Sequence, residues 1–177
     1  YVNKISAELL QRLKCLRERG VKVFVLSNNY YPVAEIIMNE AIGPDWKDYF
    51  DFVAYDVGKP LFFQSLNQEV PFYNLSGDQI KDFSEYLLSN PQGRDKILTK
   101  GNAELINQFF FKHVRKDFKV LFFGDTIVTD CVLAFDKTHD KNWDIVLIFE
   151  ELQEIQNGYT DKLYYNYTTF WGSALMD

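Results

Sequence analysis

The sequence contains few cysteines and histidines and no surplus of positive charge, and each shortage excludes a class of protein. Its 177 residues include two cysteines, Cys15 and Cys131, and two histidines, with no Cys-x-x-Cys spacing. A disulfide-stabilised scaffold or a structural zinc site is therefore not indicated. The formal net charge is −6 without a basic block, which argues against binding to nucleic acid or to an anionic membrane. We expect a protein of a reducing intracellular compartment, in the cytoplasm rather than in an organelle.

Long apolar runs and repeats are also missing. No stretch of 18 apolar residues, no signal-peptide pattern and no internal repeat occurs, so the sequence predicts neither a membrane span nor secretion. What it does contain is 47% hydrophobic and 17% aromatic residues. At this length, that composition is sufficient for a globular domain with a substantial core.

Strand and helix patterns alternate along the chain, which predicts an α/β fold with a Rossmann-like parallel sheet. We expect one core over residues 1–156, interrupted by an insertion or flap at 64–99. The aromatic tail at 157–177 is expected to pack on the core or on a partner, because so many exposed aromatic rings would form a sticky patch. The predicted elements are strands at 21–26, 52–55, 119–123 and 143–149, and helices at 4–19, from Pro32, around Phe83 and Leu87, from Gly101 and from Ile127.

Two carboxylates follow the apolar run at 120–124. Asp125 would lie at the carboxyl end of a buried strand, and Asp130 in the first turns of the following helix. Ligands of open α/β sheets bind beyond the carboxyl ends of the strands. A pair of carboxylates there suits Mg²⁺, which prefers oxygen ligands and retains several waters. The alternative is that Asp125 caps the helix and Asp130 is a solvated side chain.

Polar residues also follow two other predicted strands. Ser27 and Asn28 come directly after the strand at 21–26, and Lys59 follows the strand at 52–55, between a glycine and a proline. That placement holds the backbone of the lysine more rigidly than is usual at a surface, so its ammonium group could bind a phosphate. The alternative is a solvated lysine on a turn.

Three segments carry a family resemblance. Lys22–Asn28, Gly58–Phe63 and Val120–Asp130 resemble motifs II, III and IV of the haloacid dehalogenase superfamily of phosphohydrolases. More narrowly, they resemble the cytosolic purine 5′-nucleotidases and the 5′-nucleotidase domain-containing proteins. The string Lys59-Pro-Leu-Phe-Phe63 is the most specific piece, and Trp171-Gly-Ser173 resembles the type 1 domain-containing relatives.

The resemblance implies a role for each of these polar residues. Ser27 and Asn28 would bind phosphoryl oxygens, and Lys59 would neutralise the phosphate and an aspartyl-phosphate intermediate. Asp125 would hold Mg²⁺, with Asp130 supporting the ion or its water. The resemblance implies a nucleoside 5′-monophosphate as the substrate. Phosphoryl transfer depends mainly on positioning and charge neutralisation, which these residues would provide.

One element of the family pattern is missing from these residues. The family's nucleophile is the first aspartate of an Asp-x-Asp-x-Thr motif at the end of the first strand, and no aspartate precedes Val21. The resemblance therefore implies the C-terminal half of the family's domain. The absent strand would lie between the strands at 21–26 and 119–123, where unpaired backbone is costly.

Three functional hypotheses follow. An N-terminal portion or another protein chain could complete the sheet and restore a phosphatase that works through an aspartyl-phosphate. Alternatively, the protein could be a catalytically silent structural subunit of a larger assembly that supplies the strand. A third hypothesis is a regulatory module that binds nucleotides without hydrolysing them.

Overall fold

The computed structural model describes residues 2–64, 69–89, 96–138 and 142–148. The chain divides into two compact units, Tyr1–Val114 and Arg115–Asp177. This boundary lies inside residues 1–156, for which the sequence predicts a single core. No change in composition marks it. The aromatic tail, including Trp171–Ser173, lies outside the described residues. Among the helices described, none has both the length and the apolar character needed to cross a membrane.

A four-stranded sheet organises the first unit. Three of its strands run parallel to one another, and the fourth joins one edge of the sheet in the antiparallel direction. The parallel sheet predicted from the alternation of strands and helices is thus confirmed for these three strands. In chain order, the strands are β1 Phe24–Leu26, β2 Phe52–Tyr55, β3 Phe72–Asn74 and β4 Ile97–Lys100, with the spatial order β1-β2-β4-β3.

Helices lie before, between and after these strands, and capping side chains mark the start of some of them. Ser6 accepts a hydrogen bond from the Leu9 N–H at 3.2 Å, and Asn102 accepts one from the Leu105 N–H at 3.0 Å. Such side chains satisfy N–H groups that have no partner within the helix. The helices of this unit are α1 Ala7–Glu18, α2 Tyr31–Ala41, α3 Phe83–Ser89 and α4 Ala103–His113, with short 3₁₀ turns at Trp46–Tyr49 and Leu61–Phe63.

Aromatic side chains fill both faces of this sheet. On one face, Trp46 packs with Val53 and Tyr55 in a cluster of buried residues. On the other, the rings of Phe24 and Phe52 stack at 4.8 Å between centroids. Phe72 and Phe83 stack there at 4.5 Å. Burial of rings this large dominates core energetics, which explains how a short sheet is stabilised.

The segment 64–99, predicted as an insertion or flap, contributes two strands of this sheet and helix α3. The sequence pattern indicated the helix but neither strand. β3 has three residues and β4 has four, so neither is long enough to show a period in hydropathy. Pairing with distant segments, rather than local preference, makes them strands.

The second unit contains two parallel strands, β5 Val120–Gly124 and β6 Trp143–Leu147. A π-helical turn at Ile127–Val132 leads into helix α5, Leu133–Thr138. The sequence predicted a strand buried on both faces at β5, but Leu121 and Phe123 are each 57% exposed. A continuous apolar run cannot reveal which face is covered, because both faces have the same composition.

Candidate functional site

The loops after β1 and β2 meet at the carboxyl edge of the first sheet. Leu26 lies opposite Ala54 in the parallel register, so the two strands end side by side. The Ser27 N–H extends this pairing by donating to the Ala54 carbonyl at 2.9 Å. Beyond it, the Val57 N–H donates to the Ser27 carbonyl at 3.2 Å, and the Asp56 N–H donates to the Asn29 carbonyl at 3.0 Å. Backbone hydrogen bonds therefore hold the two loops together.

The side chain of Asn28 clamps the backbone of Lys59. Asn28 Nδ2 donates to the Lys59 carbonyl at 3.0 Å, and Asn28 Oδ1 accepts from the Lys59 N–H at 2.7 Å. The peptide bond between Lys59 and Pro60 is cis. Gly58, with φ at 71°, provides the left-handed turn before the lysine. The half-buried Lys59 is thus attached to the loop that carries Ser27.

The Ser27 hydroxyl has capacity for a ligand. Its Oγ accepts a hydrogen bond from the Asn29 N–H at 3.1 Å. A serine hydroxyl has one proton and two lone pairs, so an oxygen that accepts can still donate. Ser27 can therefore donate a hydrogen bond to an anionic oxygen at this edge.

Sequence analysis did not assign two charged residues at the same edge. Asp56 follows β2, and Lys100 ends β4; Lys100 Nζ and Asp56 Oδ2 form an ion pair at 2.5 Å. Both have left-handed backbones, with φ at 48° for Asp56 and 61° for Lys100. Such conformations are uncommon outside glycine and concentrate at functional sites. The sequence offered a signal for Asp56, which follows the predicted strand at 52–55, but none for Lys100, because the sequence pattern does not indicate β4.

In the second unit, the end of β5 brings Asp125 and Asp130 together. Asp130 is 3% exposed and packs on Gly124, where a Cβ atom would collide with the Asp130 Cβ. Thr126 connects the two carboxylates: its N–H donates to Asp130 Oδ2 at 3.4 Å and its hydroxyl to Asp125 Oδ1 at 3.5 Å. Asp125 is exposed to solvent. Asp130 lies within the π-helical turn, and such turns are frequent at functional sites.

These two carboxylates could contribute oxygen ligands to a cation such as Mg²⁺. Mg²⁺ is commonly held by one or two carboxylates, with waters and substrate oxygens completing an octahedron. An exposed carboxylate beside a buried one fits this pattern. In the described part of the chain, no group of three or more His, Cys, Asp or Glu side chains is arranged to hold a metal ion.

The structure therefore places Ser27, Asn28 and Lys59 together in the first unit, and Asp125 and Asp130 together in the second. The first group offers hydrogen-bond donors and a cation to an anion. The second offers anionic oxygens to a cation.

Replacing Asn28 with alanine is expected to lower the free energy of unfolding by about 1–3 kcal/mol. The substitution removes both hydrogen bonds of the clamp and leaves the Lys59 N–H and carbonyl without those partners. Urea denaturation would measure the loss. Asn29→Ala is the matched control, because the hydrogen bonds recorded for Asn29 among the described residues come from its backbone. Equal losses in the two variants would contradict a specific role for the clamp.

Comparison with known proteins matches the sequence to one family. The family model of the 5' nucleotidase family matches residues 1–169. The chain belongs to the 5' nucleotidase family. The resemblance inferred from the three sequence segments is thereby confirmed at the level of this family.

Individual members of the 5' nucleotidase family are similar over most of the chain. The 5'-nucleotidase domain-containing protein 1 of Bos taurus is 26% identical over 159 residues, which cover 89% of this chain and 33% of that protein. The Homo sapiens protein of the same name is 27% identical over 154 residues, or 86% and 32%. The 5'-nucleotidase domain-containing protein 2 of Homo sapiens is 27% identical over 164 residues, or 92% and 29%. The chain spans about a third of the length of these relatives.

Proposed function

We propose that the protein is a Mg²⁺-dependent phosphomonoesterase that hydrolyses nucleoside 5′-monophosphates. Membership of the 5' nucleotidase family supports this reaction class. The observation that carries the proposal is the clamp between Asn28 and Lys59, which fixes a lysine on the loop of the Ser27 hydroxyl at the carboxyl edge of a parallel sheet. This edge is where α/β proteins bind ligands.

Ser27, Asn28 and Lys59 bind the phosphoryl group in this proposal. Ser27 Oγ donates a hydrogen bond to a phosphoryl oxygen. The Lys59 ammonium group neutralises charge on the phosphate, and Asn28 holds the lysine in position through its backbone. Preorganised donors and cations of this kind account for most of the catalysis of phosphoryl transfer.

Asp125 and Asp130 are the proposed ligands of Mg²⁺. Asp125, which is exposed, contacts the ion, and the buried Asp130 supports the ion or one of its waters. When bound, the ion would supply the positive charge that phosphoryl transfer uses. Hydrogen bonds from Thr126 orient both carboxylates before any ligand arrives.

The nucleophile of the proposed reaction lies outside these 177 residues. An aspartate attacks phosphorus and releases the nucleoside, and water then hydrolyses the aspartyl-phosphate. Among the described strands, β1 has one neighbour in its sheet and β5 has one in its own. Each therefore has an open edge to which a strand from the rest of the protein, or from another chain, can pair.

Release of inorganic phosphate by the full-length protein tests the proposal. Inosine, guanosine and adenosine 5′-monophosphates would be supplied with Mg²⁺ or with EDTA. We expect phosphate release that requires Mg²⁺ and is restored when excess Mg²⁺ is added back. Absence of turnover from folded, intact protein would contradict the enzyme and favour the structural subunit. Binding of these nucleotides in calorimetry without turnover would instead indicate a regulatory module.

A further inference from the structure

A second candidate binding site lies at the opposite edge of the first sheet. A cavity of about 270 Å³ opens at the amino ends of the parallel strands. Three of its lining residues stand at the starts of strands: Asp51 and Lys96 immediately precede β2 and β4, and Lys22 lies two residues before β1. Because parallel strands begin at a common edge, residues in these positions converge. The fold therefore gathers charged side chains here as it gathers Ser27 and Lys59 at the carboxyl edge.

Two helices end at this cavity and add further basic residues. Arg17 lies in the last turn of α1, and His113 is the last residue of α4. The carboxyl ends of helices carry partial negative charge, which stabilises cations in these positions. Apolar side chains complete the lining. They are Phe52, Leu87, Leu88, Phe109 and Val114.

Asp51, the one carboxylate among the described residues that line the cavity, already has hydrogen-bond and ion-pair partners. Its oxygens accept from Arg17 Nε at 3.2 Å, from Lys22 Nζ at 3.2 Å and from the Val23 N–H at 2.9 Å. Burial alone would raise the pKa of Asp51. The Val23 hydrogen bond and the charges of Lys22 and Arg17 outweigh burial and hold this pKa below its usual value. Asp51 thus remains ionised and occupied by two of the cations.

The surroundings of Lys96 differ from those of Asp51. It is half-buried, and no ion pair or hydrogen bond joins its ammonium group to any residue that the structure describes. Burial lowers the pKa of Lys96, and the nearby charge of Arg17 lowers it further. An anion beside Lys96 would stabilise the charged ammonium group and so oppose both effects on its pKa. With His113 neutral, the described residues of the lining carry a net charge of +2, in a protein whose overall charge is −6.

We propose that this cavity binds a small phosphate monoester, with its dianionic phosphate beside Lys96 and its apolar body against Phe52 and Phe109. The dianion matches the net charge of the lining. Aromatic and aliphatic side chains around a few polar groups are typical of small-molecule sites. The site is independent of the proposed hydrolysis, since it uses none of the residues assigned to that reaction.

Phenyl phosphate is a suitable probe, and its two halves can be tested separately with inorganic phosphate and phenol. Binding would be measured by calorimetry on the full-length protein carrying Lys59→Gln, which weakens the phosphate site proposed at the other edge. The imidazole signal of His113, assigned by its loss in His113→Gln, would report by NMR whether the probe enters this cavity. We expect a shift of that signal and tighter binding of phenyl phosphate than of either half.

Variants of Lys96 decide the outcome. Lys96→Gln is expected to weaken binding of phenyl phosphate by about tenfold or more, because it removes the cation of the lining that pairs with none of the described residues. Lys96→Arg should retain binding. Lys4→Gln, which makes the same change at an exposed residue outside the cavity, should leave it unchanged. Unaltered affinity in Lys96→Gln, equal affinity for phenol, or an unshifted His113 signal would overturn the proposal.

Discussion

Replacing Asp125 with asparagine in the full-length protein is expected to lower Mg²⁺-dependent phosphate release by more than about 100-fold. Loss of a group that merely supports a metal ligand typically costs about 10- to 100-fold, and Asp125 is proposed to contact the ion itself. Asparagine keeps the shape of the side chain but replaces an anionic oxygen with an amide. A hard cation binds the neutral group less well.

The readout separates loss of the metal site from loss of folding. Activity would be measured over a range of Mg²⁺ concentrations, where Asp125→Asn should also require more Mg²⁺ for half-maximal rate. Asp117→Asn is the matched control, because Asp117 is exposed in the same unit and pairs with Arg115 at 2.8 Å. An equal decrease in both variants, or an unchanged rate in Asp125→Asn, would contradict the role proposed for Asp125.

Replacing Gly101 with alanine is expected to destabilise the first unit more than the same change at Gly77. Both glycines have left-handed backbones, with φ at 87° and 86°, so alanine brings similar backbone strain at each position. At Gly77, a Cβ atom would meet nothing within 4 Å. At Gly101, it would collide with the ring of Phe72, which is fully buried.

The difference between these two variants isolates the steric effect. Overpacking a core costs about 1–3 kcal/mol, and we expect Gly101→Ala to unfold at lower urea concentration than Gly77→Ala by a free energy of that size. Far-UV circular dichroism would follow the transitions. Equal losses of stability in the two variants would mean that the end of β4 has room for a side chain. That result would contradict the close packing of the Phe72 ring against Gly101.

Much of the candidate site could be predicted from local sequence. Ser27 and Asp125 each follow an apolar strand directly, and a strand of three or more apolar residues is visible in any window that contains it. The clamp between Asn28 and Lys59 could not be predicted in this way, because it joins residues 31 positions apart. The same holds for the ion pair between Asp56 and Lys100, which exists because β2 and β4 are neighbours.

The sequence by itself determined the class of fold, the family, and the approximate positions of most helices and strands. These features depend on residues within one or two turns of each other, as Ser6 and Asn102 show at the starts of α1 and α4. Only the tertiary structure decided that Phe72–Asn74 and Ile97–Lys100 are strands, that β5 is covered on one face, and that charged residues gather at the amino edge. Each of these results depends on contacts between distant segments, and such contacts leave no periodic signal in the sequence.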